Sequence, residues 1–251
     1  MPLDTDWVAR RLPGRHLQWQ AASRSTMEDA LRLARQGCLS GTVAGAEEQT
    51  AGQGRLGRRW HSERGAGLYV SIVLRLPLPA ERMPVLTLAL GLAAAEAITA
   101  QTGLACDLRW PNDVLIDGRK CAGILTQFQE GAAIAGVGIN VNHLSFPPEI
   151  AGLATSLRLA SGREQSREAL LVRLLEAVDS HTELLTRSGA EPVVRLFERA
   201  SSYAIGRRVV VDQEPPVEGV TDGLDDSGFL WLRLPGGGRK LIVAGGVRPA
   251  L

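Results

Sequence analysis

The longest apolar run of the chain, residues 85–98, constrains the fold most. It is too short to span a bilayer and it contains Glu96, so it predicts a helix buried inside a folded domain, over roughly residues 83–100. Pro84 suits the first turn of that helix. The formal charge of +1 over 251 residues argues against a dedicated nucleic-acid binder, because such proteins usually carry a clear basic surplus.

The cysteine and histidine pattern bears on compartment and metals. Cys38, Cys106 and Cys121 are odd in number and widely spaced, which favours reduced thiols over a disulfide framework or a zinc site. The four histidines are scattered, so no structural metal is expected. The N-terminal sequence lacks the apolar core of a secretory signal, and we therefore expect a cytoplasmic protein.

Strand and helix signals predict a mixed α/β domain over residues 1–204. The strands are expected at residues 16–21, 42–47, 68–76, 114–116, 120–129 and 132–141, and further helices at residues 166–186 and 192–201. Ser25 and Glu28 have the spacing of a capping box, which predicts another helix start. After Gly206, short apolar segments alternate with turn residues, which predicts a small β-barrel over residues 205–251.

Residues 49–67 form a long segment that is rich in glycine and arginine and has no periodicity. Long ordered loops in compact domains are usually functional. The segment contains the dinucleotide-binding pattern GxGxxG, but that motif must follow a strand directly and open a helix, whereas here another strand follows. Glycine backbone and arginine side chains suit an anionic ligand. Composition alone supports a flexible, solvated loop equally well.

Two further segments carry polar groups that a ligand could use. In RWPNDVLIDGRKCAGIL, Asn112 and Asp113 follow a proline turn, and Lys120 begins a strand that becomes apolar at once. A lysine there points into a pocket or, more commonly, into solvent. In GVGINVN, glycines at 136 and 138 suggest the close approach of a ligand or a neighbouring chain. Asn140 needs a partner if it is buried, and a backbone partner in the core is the commoner arrangement.

Taken together, the strings QTAGQGRLGRRW, GLYVSIVLR, RWPND with GRKCAGIL, and GVGINVN resemble the biotin protein ligase family in order and spacing. Ser25 and Thr26 lie where that family has a Ser-Thr pair. The resemblance extends from about Ser25 to the end of the chain. It implies a class II synthetase-like α/β fold, in which a mixed, mostly antiparallel sheet is flanked by helices, with a small C-terminal SH3-like β-barrel.

The resemblance also implies an activity and a set of site residues. The family makes biotinyl-5'-AMP from biotin and ATP with Mg²⁺, and then places the biotin on a lysine of a biotin carboxyl carrier domain of a carboxylase. The implied catalytic residues are Arg55, Lys120 and Asp113, and Asp113 is also expected near Mg²⁺. The implied biotin-binding residues are Ser25, Thr26, Gln49, Gly52, Gly54, Arg55 and Lys120. The implied nucleotide-binding residues are Arg58, Trp60, Asn112 and Asn140.

Four positions depart from the family pattern. Met27 replaces a common asparagine, Gln53 an arginine, Leu56 a basic residue and Arg109 a frequent lysine. The loop therefore carries less positive charge than in many relatives, which bears on affinity and adenylate leakage rather than on the reaction type. Arg109 keeps its charge, although a planar guanidinium is not equivalent to an ammonium.

Three other functions remain as alternatives, and several wider properties of the protein are expected. A lipoate or octanoate ligase shares the implied fold, an inactive biotin sensor would keep the pocket without the chemistry, and a dinucleotide-dependent oxidoreductase depends only on the glycine pattern. The segment before the first strand is too short for a helix-turn-helix domain, so a stand-alone form without specific DNA binding is expected. We also expect the glycine-rich loop to order on ligand binding, and an exposed strand edge to serve an acceptor domain or a homodimer.

Overall fold

The computed structural model describes residues 2–250. The helices in this range are α1 (Thr5–Arg11), α2 (Thr26–Arg35), α3 (Met83–Thr102), α4 (Pro148–Ala151), α5 (Leu157–Ser161), α6 (Arg167–Ser188) and α7 (Ala190–Arg199). The strands are β1 (Leu17–Gln20), β2 (Val43–Ala46), β3 (Gly67–Leu74), β4 (Asp107–Arg109), β5 (Asp113–Ile116), β6 (Arg119–Gln129), β7 (Ala132–Asn140), β8 (Ile205–Val211), β9 (Val217–Leu224), β10 (Leu230–Arg233), β11 (Arg239–Ile242) and β12 (Val247–Pro249). Short 3-10 turns lie at Arg55–Gly57 and Ala80–Arg82.

The first seven strands form one sheet in the order β1-β2-β3-β7-β6-β5-β4. Strands β1 and β2 are parallel, and every other neighbouring pair is antiparallel. The predicted mixed, mostly antiparallel sheet is therefore confirmed. The strand bounds lie close to the predicted ones, because period-2 alternation and turn residues mark strand ends locally.

The helices cover both faces of this sheet. On one face, alternate residues of β3, such as Leu68 and Val70, join α3 and α6 in the main hydrophobic core. On the other face, Val73 packs with Met27 and Ala30 of α2 in a smaller cluster. Side chains of a strand alternate between the two faces, so β3 presents Tyr69 and Ser71 on the side of α2.

Helix α3 is the buried helix that the apolar run predicts. It contacts β6 on the sheet and packs along α6 and α7. Residues Ala80–Thr102 are apolar and long enough to cross a membrane, but 67% of their most apolar stretch is buried inside the protein. A helix that is apolar all round needs such cover on every side, which explains its composition.

The last five strands form a second, wholly antiparallel sheet in the order β11-β10-β9-β8-β12. Its inward residues, among them Val209 and Leu232, belong to the same hydrophobic core as Phe197 of α7. The Trp110 indole nitrogen also donates to the Gly228 carbonyl oxygen at 2.9 Å. The second sheet therefore rests directly against the first, close to the Trp110–Pro111 turn.

The predicted capping box is wrong. Ser25 is the residue before α2, but its side chain makes no capping hydrogen bond. Glu28 instead pairs with Arg24 at 3.2 Å. The physical reason is a competing long-range contact: Gln49 Oε1 accepts the first free backbone N–H of the helix, that of Thr26, at 2.8 Å. Helices α1, α4 and α5 and strands β4 and β12 are short and were not predicted.

Candidate active site

A pocket lies on the α2 face of the main sheet, between the start of α2 and the glycine-rich loop. Its floor comes from β3, β6 and β7. It brings together hydroxyl and amide groups, two cationic side chains and glycine-lined strand surface. The lining residues are Thr26, Met27, Gln49, Gln53, Gly54, Arg55, Trp60, Tyr69, Val70, Ser71, Asn112, Lys120, Gly123, Ile124, Leu125, Gly136, Val137 and Gly138.

The glycines of β7 make room for two large side chains on the pocket floor. A methyl group added at Gly138 would lie 2.6 Å from the Trp60 ring, and one added at Gly136 would lie 2.7 Å from Met27 Sδ. At both positions the neighbouring group would have to shift to admit a side chain larger than hydrogen. The groups that approach these glycines closely are the Trp60 ring and the Met27 thioether, and the expected approach of a ligand stays a prediction.

A β-bulge turns Lys120 towards the pocket. Strand β5 pairs Val114 with Ala122 but Leu115 with Lys120, so Cys121 is the extra residue. Strict alternation would put Lys120 and Gly123 on opposite faces of the sheet, and the bulge reverses that relation. Lys120 accordingly lies over Gly123, and its Nζ is 5.4 Å from the centre of the Trp60 ring.

Asp113 lies behind Lys120 and is shared by two cations. One carboxylate oxygen pairs with Lys120 and the other accepts from Arg109 at 2.7 Å. Burial alone would raise the pKa of Asp113, but the charges and hydrogen bonds of Lys120 and Arg109 outweigh it and hold the pKa below its ordinary value. Both oxygens are engaged by these cations, so Asp113 is placed to orient Lys120, and its position near Mg²⁺ stays a prediction.

Arg55 is held by groups from distant parts of the chain. Its guanidinium donates to Asn112 Oδ1 at 3.2 Å and to the Gly245 carbonyl oxygen, between β11 and β12, at 3.0 Å. Asn112 is itself anchored, because its amide nitrogen donates to the Ile124 carbonyl oxygen at 2.9 Å. Partial burial, with a contribution from Arg58, lowers the pKa of Arg55 against the opposing charge of Asp113. These contacts hold the Arg55 guanidinium at the pocket.

A polar network lines the side of the pocket near α2. The backbone N–H and hydroxyl of Thr26 donate to Gln49 Oε1 at 2.8 and 3.0 Å, and Ser71 donates to Thr26 Oγ1 at 2.9 Å. The neighbouring Ser25 hydroxyl is buried and has no hydrogen-bond partner among residues 2–250. Ser25 is not among the residues that line the pocket, so its contact with biotin stays a prediction.

The structure gives the predicted site residues different places, and Ser25 and Asp113 lie beside the pocket rather than on its lining. It brings into the pocket Thr26, Gln49, Gly54, Arg55, Trp60, Asn112 and Lys120. Gly52 and Arg58 line a neighbouring groove on the outer side of the loop instead, and Arg58 pairs with Asp212 after β8. Asn140 is buried, and its amide nitrogen donates to the Thr155 carbonyl oxygen at 3.1 Å, which is the core arrangement that the sequence left open. Its nucleotide role stays a prediction.

Several pocket residues were not predicted from the sequence. Tyr69 and Ser71 lie on a strand that was interpreted only as apolar, although its period-2 alternation could have shown a second face. The Tyr69 hydroxyl is buried against the Glu63 backbone, and this burial above all raises the pKa of Tyr69 to about 12. The contact of Arg55 with Gly245 had no local signal, because it joins residues that are 190 positions apart.

The fold and the pocket together define a class: an α/β protein with a small-molecule site. Glycine-lined strand surface and the Trp60 ring suit an apolar ring system, and Thr26 and Gln49 supply a few placed polar groups. Arg55 and Lys120 suit the carboxylate or phosphate of the same ligand. Such a site can hold two anionic groups close together by neutralising part of their repulsion.

Comparison with known proteins agrees with this class. Residues 20–143 match the model of the biotin/lipoate A/B protein ligase family. The chain is 34% identical to the biotin--[acetyl-CoA-carboxylase] ligase of Mycobacterium tuberculosis, over 98% of this chain and 94% of that protein. It is 36% identical to the bifunctional ligase/repressor BirA of Bacillus spizizenii, over 92% of this chain and 73% of that protein.

The solved structures include a biotin protein ligase from Aquifex aeolicus in complex with biotin and ATP. It superposes with a TM-score of 0.83 at 31% identity, over 94% of this chain and 99% of that one. The chain belongs to the biotin protein ligase family. Its length is about that of the stand-alone ligases.

Proposed function

We propose that this protein activates biotin with ATP to form biotinyl-5'-AMP and then transfers the biotin to a lysine of a biotin carboxyl carrier domain. The observation that carries the proposal is the meeting of Arg55 and Lys120 in one pocket with the Thr26–Gln49 network. Membership of the biotin protein ligase family supports the same reaction.

The first step joins two anions. A carboxylate oxygen of biotin attacks the α-phosphorus of ATP, the bond to the bridging oxygen breaks, and pyrophosphate leaves. Arg55 and Lys120 reduce the repulsion between the reactants and stabilise the charge that develops on the phosphoryl oxygens. Because Asn112 and Gly245 already hold Arg55, little reorganisation is needed when the charge forms.

The second step consumes the adenylate. The neutral amine of the acceptor lysine attacks the biotinyl carbonyl carbon, an amide bond forms, and AMP leaves with the bonding electrons of the mixed anhydride. The proton lost by the amine passes to solvent or to the departing phosphate. Asp113 holds Lys120 in place through an ion pair, so we assign it a positioning role. Mg²⁺ enters bound to the ATP phosphates, the ligands that it usually keeps.

The open edge of β6 is the docking site that we propose for the acceptor. Strand β5 pairs with β6 only as far as Gly123, and the Ile124 N–H donates to Asn112 on that side. Alternation then points the N–H groups of Thr126 and Phe128 outwards, where no strand within residues 2–250 pairs with them. An extended acceptor segment can add there by edge pairing, and a second copy of the chain can use the same edge to form a homodimer.

Two wider properties complete the proposal. The protein works in the cytoplasm, as its sequence pattern suggests. It does not bind DNA specifically, which its near-neutral formal charge of +1 supports.

The test is a mass measurement on the acceptor. The protein is incubated with Mg²⁺, ATP, a biotin carboxyl carrier domain and, in separate reactions, biotin, lipoate or octanoate. Addition of one biotin by the wild type, with a large loss of rate in Arg55→Ala, supports the proposal. Addition of lipoate or octanoate alone would assign the protein to a different acid, and tight biotin binding without adenylation would make it a sensor.

A further inference from the structure

A second cluster of ligand-type side chains lies beside the pocket, at the end of the glycine-rich loop. His61 and Glu63 follow Trp60, and His143 lies just beyond the end of β7. Each of these three side chains offers one ligand atom, and these atoms all lie within 4.8 Å of one another. The two histidines are far apart in the sequence, so no local spacing pattern indicates that they lie close together.

Hydrogen bonding by Tyr69 leaves one nitrogen of His143 free. The single hydroxyl hydrogen of Tyr69 is donated to the Glu63 carbonyl oxygen at 3.0 Å. With the Tyr69 hydrogen on the Glu63 carbonyl oxygen, the contact of 3.1 Å is a hydrogen bond that His143 Nε2–H donates, and this is the tautomer that we assign to His143. In that tautomer Nδ1 keeps its lone pair, and Nδ1 is buried without a hydrogen-bond partner among residues 2–250.

Packing holds the cluster in place. The Phe146 ring stacks on His143 with centroids 5.2 Å apart, and it meets His61 edge-on at 6.1 Å. Glu63 is exposed, and its carboxylate forms no ion pair within the described range, so it is free to turn towards the two imidazoles. The His143 ring is buried, the His61 ring is half-buried and the Glu63 carboxylate is exposed. Only small side-chain movements are needed for the three to surround an ion.

We propose that His61, Glu63 and His143 Nδ1 bind a divalent transition-metal ion of the Zn²⁺ type. Two imidazoles and a carboxylate form a donor set found in zinc sites that keep an open fourth position, whereas Mg²⁺ prefers oxygen ligands. Metal-binding histidines almost always donate their other ring N–H to an acceptor, which is the relation of His143 to Tyr69. The buried, unpartnered Nδ1 is the observation that separates this cluster from a chance surface grouping.

Occupation of the site would join two parts of the molecule. His61 is adjacent to Trp60, which lies on the pocket floor, and His143 lies three residues after Asn140, the last residue of β7. A bound ion would therefore anchor the end of the glycine-rich loop to the sheet. This role is separate from the ligase reaction and does not depend on biotin.

The test is a direct Zn²⁺ titration of the metal-free full chain by calorimetry, with the bound metal counted by elemental analysis. We expect one Zn²⁺ per chain and a higher melting temperature with Zn²⁺ but not with Mg²⁺. His61→Gln and Glu63→Gln should each weaken Zn²⁺ binding at least about tenfold, and Tyr69→Phe about 10- to 100-fold, the usual cost of losing the group that orients a ligand.

Matched controls make the result decisive. His16→Gln and Glu149→Gln change an exposed histidine and an exposed glutamate outside the cluster, and should bind Zn²⁺ as the wild type does. Melting curves of the metal-free variants check that each one folds. Absence of stoichiometric Zn²⁺ binding, or equal affinity in wild type, His61→Gln and Glu63→Gln, overturns the proposal.

Discussion

The two cations of the pocket are held by different means. Lys120 lies on a strand, and its direction comes from a β-bulge, with Asp113 on the neighbouring strand as its ion-pair partner. Arg55 lies on a loop, and its partners are 57 and 190 positions away in the chain. Backbone pairing of strands therefore places Lys120. Contacts with the Asn112 side chain and with the loop between β11 and β12 place Arg55. We expect Lys120 to be the more rigid and Arg55 to depend more on the second sheet.

The largest expected effect comes from removing the cations themselves. Arg55→Ala and Lys120→Ala should each slow biotin-dependent ATP–pyrophosphate exchange by about 100- to 1000-fold, the usual cost of losing one donor to a developing charge. If both act on the same charge, the double variant should lose less than the product of the two losses. A loss below about threefold in either single variant would remove that residue from the proposed chemistry.

The ion pair behind Lys120 gives the next largest effect. Asp113→Asn leaves Arg109 and Lys120 without their shared partner, and should lower the free energy of unfolding by about 3 kcal/mol. Because the folded state lowers the pKa of Asp113, this stabilisation is present above the pKa of the unfolded chain, about 4, and is lost as the pH falls further.

Urea unfolding at several pH values measures this contribution. The difference between wild type and Asp113→Asn should be constant from about pH 5 to 7 and shrink below about pH 4. A difference that grows towards low pH would contradict the assigned direction of the pKa. Asp6→Asn, which changes an exposed aspartate in α1, is the matched control.

A smaller effect tests the glycine-lined floor of the pocket. Gly138→Ala places a methyl group 2.6 Å from the Trp60 ring, so the ring must move. We expect about 1–3 kcal/mol of lost stability, as for other overpacked sites, together with weaker biotin binding by calorimetry. Gly236→Ala is the control, because no atom lies within 4 Å of the added methyl group there. Wild-type biotin affinity in Gly138→Ala would place the ligand away from this surface.

The smallest expected effect concerns the outer contact of the loop. Arg58 and Asp212 form an exposed ion pair between the loop and the second sheet, and such pairs contribute at most about 1 kcal/mol. Asp212→Asn should therefore leave the free energy of unfolding nearly unchanged while amide exchange in residues 52–59 becomes faster. Equal exchange in the two proteins would mean that the contacts of Arg55 hold the loop without Arg58.

Much of the fold follows from local patterns. The apolar run at residues 85–98 predicted α3 because a helix without a polar face must be buried. Glycines at 136 and 138 predicted a close approach to β7 because glycine inside a strand often leaves room for a neighbouring group. The glycine and arginine content of the loop left a solvated segment and an anion site equally open, and only the fold placed Arg55 in a pocket.

Local sequence patterns predicted most of the long helices and strands and the short strings that carry polar groups, and the family resemblance implied the mixed sheet. Tertiary structure alone decided that Cys121 is the extra residue of a bulge, so that Lys120 points into the pocket. It also decided that Gln49 rather than Ser25 caps α2, and that His61 meets His143. The physical reason is range: periodicity and turns depend on neighbours in the chain, whereas these contacts depend on strand register and packing between distant segments.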